Sequence, residues 1–315
     1  MQDSIATAVL LPLALAVIMF GLGMSLTPAD FARVIRVPRA VFVGLFCQMV
    51  LLPGVALLLA HGLGLSPELA VGLMLLAASP GGATANLFSH LAKGDVALNV
   101  TLTAVNSVLS LFTLPFIVNF ALDHFMGAGQ VIPLQAGKVV QVFAVVLVPV
   151  AIGMLVHARR PDFARRATKP IKAASVVFLV CVVLAAALKE RAHLGGYFAR
   201  VGLAALAFNV CSLGVGYVVP LVARLPHRQA VAIGMEIGIH NGTLAIAIAM
   251  SPLLLGNATM AIPAAVYSLV MFVTAGTFAW LSSARSEATK IEETPLAPLG
   301  LLGRHRAPIQ APPEG

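Results

Sequence analysis

The chain has 315 residues, 59% of them hydrophobic and only 10% charged, with a formal net charge of +8. A soluble domain carries about a quarter charged residues, so this composition, with a mean hydropathy of +0.97, excludes an ordinary soluble enzyme or binding domain. It describes an all-α polytopic membrane protein with the lipid bilayer as its surroundings.

A helix needs about 20 apolar residues to cross a bilayer. Nine such segments are predicted, at about 5–26, 39–63, 68–92, 96–123, 136–158, 170–189, 199–223, 228–254 and 261–283. The first has no basic n-region and no A-x-A pattern after its apolar run, so it reads as a membrane helix and not as a signal peptide. Arg33, Arg36 and Arg39 fill the first connection and Lys93 the third. Arg159, Arg160, Arg165, Arg166, Lys169 and Lys172 crowd the fifth, and Arg224 and Arg228 the seventh. The even-numbered connections are poorer in basic residues, apart from Lys189, Arg191 and Arg200. That alternation predicts an outside N-terminus and a cytoplasmic C-terminus in a cell membrane, with a bacterial inner membrane the expected setting. It also accounts for the positive charge without a nucleic-acid partner. Cys47, Cys181 and Cys211 all lie in apolar segments and lack metal-ligand spacing, so they are expected to pack. After Ser283 the composition turns to Pro, Glu, Arg and Gly, predicting a disordered cytoplasmic tail over 284–315.

The third and eighth segments are interrupted in the middle. One carries Pro80-Gly81-Gly82, the other Gly238 and His240-Asn241-Gly242, and laid together from Ala70 and Ala230 the two breaks coincide without a gap. On the predicted topology the two segments run in opposite directions, which is the signature of inverted-repeat secondary transporters. Freed carbonyls and amides at such breaks must line a protein cavity. The eighth segment also holds Glu236, the one acidic residue of twelve that cannot avoid the hydrocarbon. A charge there costs roughly 3 kcal/mol on insertion scales, so it needs a partner. No Lys or Arg lies at comparable depth in any segment, which leaves a bound cation.

The motifs M-F-G-L-G-M-S-L-T-P-A-D-F at 19–31, S-P-G-G-A-T-A-N at 79–86, G-D-V-A-L-N-V-T-L-T at 94–103 and E-I-G-I-H-N-G at 236–242 give the chain a specific likeness. It resembles the bile acid:sodium symporter family, in its nine-helix form, over about positions 10–283. The resemblance implies a transmembrane transporter domain over 1–283. Its panel would comprise about 5–63 and 136–189, and its core about 68–123 and 199–283, with the two broken helices crossing in the core. It implies two sodium sites. Residue by residue, one falls on Asn86, Asn99, Thr103 and Glu236; the other falls on Gln48, Glu236, His240 and the backbone carbonyls of Ile237 and Ile239. Hard oxygen donors suit a small alkali cation. Relatives often carry a hydroxyl residue where Ala85 stands, Ser at Asn99 and Gln at His240.

His240 offers nitrogen where an oxygen is expected. It is a weak ligand or a structural hydrogen-bond donor, a substrate contact, or, because imidazole titrates near neutrality, a proton-coupling group. Asn241 resembles the position that faces the substrate cavity, and Thr84 and Thr243 are neighbouring hydroxyls. Met271 and Phe272 replace a His-Asn pair that contacts ligand in some bacterial relatives. Asn106, Ser107, Ser110, Thr113, Asn209 and Ser212 are expected to join helices. The expected function is sodium-coupled import of a small organic anion by alternating access, by a monomer or weak homo-oligomer. Proton coupling through His240, or an uncoupled facilitator, is the alternative. An intramembrane enzyme needs several convergent groups, and the sequence offers one buried carboxylate and no D-x-x-D pattern.

Overall fold

The computed structural model describes Leu13, residues 16–21, 23–24, 26–127 and 136–168, positions 170, 171, 173, 174 and 177, and residues 194–252 and 254–293. Among these the regular structure is helical, apart from one isolated β-bridge. The predicted sixth segment, with Cys181, lies largely outside the described residues, as does the chain from Thr294 onward.

The helices are α1 (Pro28–Ala32), α2 (Pro38–Phe46), α3 (Leu52–Gly62), α4 (Pro67–Ala78), α5 (Ala83–Leu91), α6 (Val96–Met126), α7 (Ala136–Arg159), α8 (Leu194–Val222), α9 (His227–Gly238), α10 (Gly242–Met250) and α11 (Ile262–Glu293). Their ends carry the expected chemistry. The Thr27 amide and hydroxyl both donate to the Asp30 carboxylate, at 2.9 and 2.6 Å, in a capping box ahead of α1. Asp95 caps α6 by accepting from the Leu98 amide at 3.0 Å. Its own amide donates to Arg228 O at 2.9 Å, tying the start of α6 to the start of α9.

Helices α2 and α3 are one continuous rod joined by a π-helical turn, Cys47–Leu51, just ahead of Pro53. The combined span Pro38–Gly62, with Val96–Met126, Val201–Val222 and Thr259–Ser283, makes four described helices long and apolar enough to cross a membrane. Phe42, Leu58, Phe116, Leu203, Leu269 and Trp280 point outward from these four. Such an apolar exterior suits lipid. Helical backbone in α11 continues past Ser283 to Glu293, into the stretch read as tail.

Two predicted spans are each split into a pair of short helices. Ser79–Gly82 separates α4 from α5, and Ile239–Asn241 separates α9 from α10. Every residue from Leu69 to Ala78 and from Ala230 to Gly238 is buried. Around them α6 packs on α4, α5 and α9, while α8 and α11 also pack on α9. The interrupted segments are thus the innermost ones, and uninterrupted helices screen their unpaired backbone groups from the exterior.

Candidate functional site

The two breaks meet. The Gly82 amide donates to Ile239 O at 3.0 Å and the Asn241 amide to Pro80 O at 2.8 Å, flanking an antiparallel bridge between Gly81 and His240. The diverted Asn241 amide is the one that would close the last helical turn on Ile237 O. The break thereby removes the helical partner of the Ile237 carbonyl while fixing the path of the chain.

Glu236 is 1% exposed, and its Oε2 accepts from the Thr103 hydroxyl of α6 at 2.6 Å. Asn99, one turn earlier on α6, donates through Nδ2 to Ala232 O at 2.7 Å. The Asn106 side chain faces the same carboxylate. Asn99, Thr103 and Asn106 follow i, i+4, i+7 spacing, which puts all three on one helix face. A Cβ built on Gly81 would fall onto the Glu236 carboxyl group. Only glycine lets the first break approach the acid so closely.

A second set gathers around one carbonyl. Gln48, in the π-helical turn, forks its Nε2 onto Ala77 O and Ser79 O, each at 3.0 Å, and so caps the broken end of α4. Single π turns frequently occur at functional positions. Ser79 O also accepts from His240 Nδ1 at 2.9 Å. A carbonyl cannot donate, so Nδ1 carries a proton. The His240 ring stacks on Phe208, with centroids 5.6 Å apart at 19°, and meets Tyr267 edge-on at 5.4 Å.

The predicted ligand residues therefore fall into two hydrogen-bonded groups, Asn99–Thr103–Glu236 and Gln48–Ser79–His240. Among the described residues no hydrogen bond links Asn86 to either group, or Gln48 to Glu236. One property unites them: Gln48 Oε1, Asn86 Oδ1, Asn99 Oδ1, Glu236 Oε1 and His240 Nε2 are buried without a hydrogen-bond partner. Leaving such atoms unsatisfied costs about 1–3 kcal/mol each. Four of the five are carboxylate or amide oxygens, the donors a small hard cation takes. The residues present fit sodium.

Of the predicted substrate residues, Asn241 caps α10, its Oδ1 accepting from the Leu244 amide at 3.0 Å. Its Nδ2 is the end that could meet a substrate. Thr84 and Thr243 are half-buried near the starts of α5 and α10. Met271 is buried, whereas Phe272 is partly exposed and stacks on Phe88 of α5 at 6.1 Å.

Other contacts at the break escape a reading of the sequence. Gly238 O accepts from Asn209 Nδ2 and from the Tyr267 hydroxyl, each at 2.9 Å, and the Thr274 hydroxyl donates to Asn209 Oδ1. Asn209 joins helices as expected. Ser107 and Ser110 do not: their hydroxyls donate to Thr103 O and Ser107 O of their own helix. A Ser reaches a carbonyl one turn back more readily than a neighbouring helix.

Split helices crossing at a buried carboxylate, within an apolar-faced helical body, define a membrane transporter architecture. The chain belongs to the sodium bile acid symporter family, whose sequence model matches residues 12–196. It is 31% identical over 265 residues to an uncharacterized sodium-dependent transporter of Bacillus subtilis, an alignment covering 81% of this chain and 77% of that protein. A continuous alignment of that share necessarily includes both breaks. A probable sodium/metabolite cotransporter of the chloroplast from Oryza sativa is 29% identical over 83% of this chain, which spans 61% of that longer protein. An ileal sodium/bile acid cotransporter of Oryctolagus cuniculus is 24% identical over 76% of this chain and 69% of its own length.

Proposed function

We propose that this protein is a sodium-coupled symporter that imports a small organic anion across a bacterial inner membrane by alternating access. The observation that carries the proposal is the Glu236 carboxylate, buried beside two meeting helix breaks, with one oxygen unpartnered and amide oxygens of Gln48, Asn86 and Asn99 in the same condition. Two sodium ions, as cargo, would use these oxygens. One would take Asn86, Asn99, Thr103 and Glu236; the other would take Gln48, Glu236, His240 and the carbonyls of Ile237 and Ile239. Neutralising the carboxylate and bridging the halves of both broken segments favours one conformational state over the other, and that differential affinity is what coupling requires.

The anion would dock by Asn241, Thr84 and Thr243, where α5 and α10 begin and their positive dipole ends point. In this reading the chain has nine membrane helices in inverted repeats, a panel moving against a core, an outside N-terminus and a cytoplasmic C-terminus. The inward sodium gradient and membrane potential drive import, at about 2.3 kcal/mol per charge per 100 mV. The names of the relatives support sodium coupling, and the unpartnered oxygens supply a physical reason for it.

The test is uptake of a panel of radiolabelled organic acids into proteoliposomes, with sodium or a large organic cation outside. Sodium-dependent uptake that Glu236→Gln abolishes is the expected result. Undiminished uptake by Glu236→Gln overturns the proposal. Counterflow indifferent to sodium would identify an uncoupled facilitator instead.

A further inference from the structure

Far from the crossing, two exposed histidines face one another where two helices end. His61 lies in the last turn of α3 and His124 in the last turn of α6, and their Nε2 atoms are 2.8 Å apart. The rings stand at 87°, with centroids 5.0 Å apart. Each is backed by an aromatic ring. Phe125 lies 5.0 Å from His61, and Phe120, one turn back on α6, stacks on His124 at 5.5 Å and 16°. The α2–α3 rod starts beside Arg36 and α6 starts beside Lys93, so the pair sits at the opposite end of the molecule from those basic connections.

We propose that His61 and His124 form a binding site for a divalent transition-metal cation of the imidazole-preferring class, such as nickel or zinc. A hydrogen bond between two Nε2 atoms requires one of them to be an unprotonated lone pair, and a metal needs both. The donor ring supplies the second by carrying its proton on Nδ1 instead, a change of tautomer with no net proton loss. Two imidazole nitrogens on one metal at about 2.0–2.1 Å stand about 2.9 Å apart at a right-angled corner and about 3.3 Å apart at a tetrahedral one. The observed separation lies just under the first value. Rotation about the Cβ–Cγ bonds, a soft torsion for histidine, turns both lone pairs from each other toward a shared point. Exposure leaves room for that rotation and for water in the remaining coordination positions.

The site joins two separate helices, so an occupied site staples α3 to α6 and stabilises the fold.

Thermal unfolding of the full chain, purified in detergent on a tag without histidine, is followed while nickel or zinc chloride is titrated in. A saturable rise in unfolding temperature is expected. His61→Gln and His124→Gln should each abolish the saturable step, and His90→Gln, an exposed histidine outside the pair, should retain it. The proposal is overturned if the wild type shows no saturable rise, or if either pair variant responds as the wild type does. None of these readouts depends on sodium or on transport.

Discussion

Gly81 and the Glu236 carboxylate occupy adjoining space: the position a side-chain carbon would take on one is held by the acid of the other. Gly82, its neighbour, is different. A Cβ there meets only Thr84 Oγ1 at 3.4 Å and His240 O at 3.7 Å, ordinary contact distances. Gly81→Ala should therefore displace the carboxylate and abolish sodium-dependent uptake in proteoliposomes. Gly82→Ala should keep uptake within about threefold of wild type, a change under 1 kcal/mol. Equal activity of the two variants would show that the close approach has no functional weight.

Thr103→Val replaces the one hydroxyl bonded to Glu236 by a methyl of similar size, so Oε2 loses its closest donor while Oε1 stays unpartnered. The expected cost is about 1–3 kcal/mol. Because bound sodium would offset part of that cost, the variant should gain more thermal stability from sodium than wild type does. Differential unfolding in sodium and in a large organic cation measures this, with Thr103→Ser as the variant that should behave normally.

Tyr267→Phe removes one of two donors to Gly238 O and leaves Asn209 in place. The loss of one neutral hydrogen bond is worth about 0.5–1.5 kcal/mol. A small fall in unfolding temperature is expected, with a larger, more than additive fall when Asn209→Ala is combined with it, because the carbonyl is then buried with no donor. A double-mutant cycle by thermal unfolding tests the coupling.

His240→Gln exchanges a ring nitrogen for an amide that can present oxygen to a hard cation while its NH2 keeps a bond to Ser79 O. The half-saturating sodium concentration for uptake should fall. If it rises, the imidazole contributes to the ion site in a way its chemistry does not suggest.

The location of the crossing was legible because Pro and Gly in the middle of an apolar span have few other meanings. Pro80-Gly81-Gly82 and His240-Asn241-Gly242 mark both breaks to within a residue or two. Glu236 was legible for an equally simple reason, the cost of a charge in hydrocarbon. Asn106 shares a face with Asn99 and Thr103, but a polar residue at helical spacing also suits packing, and nothing local separates the two. The contacts of Tyr267 and Asn209 with Gly238 O depend on α8 and α11 arriving on the same side of α9, a tertiary fact with no short-range signature. The π-helical turn at Cys47–Leu51 is equally silent, since an extra residue in a helical turn needs no special side chain. Its consequence is large, because it sits where Gln48 must reach the end of α4.

The Ser79 carbonyl accepts two hydrogen bonds, one from Gln48 of the α2–α3 rod and one from His240 of the second break. It works as a three-way pin. If the rod slides, Gln48 must release the carbonyl or drag it along, and the backbone at the crossing follows. The rod and the two interrupted segments are thus geared to one another at this carbonyl, alongside the Gln48 bond to Ala77 O and the backbone bonds between the breaks, so displacement of the outer element is registered at the centre of the molecule.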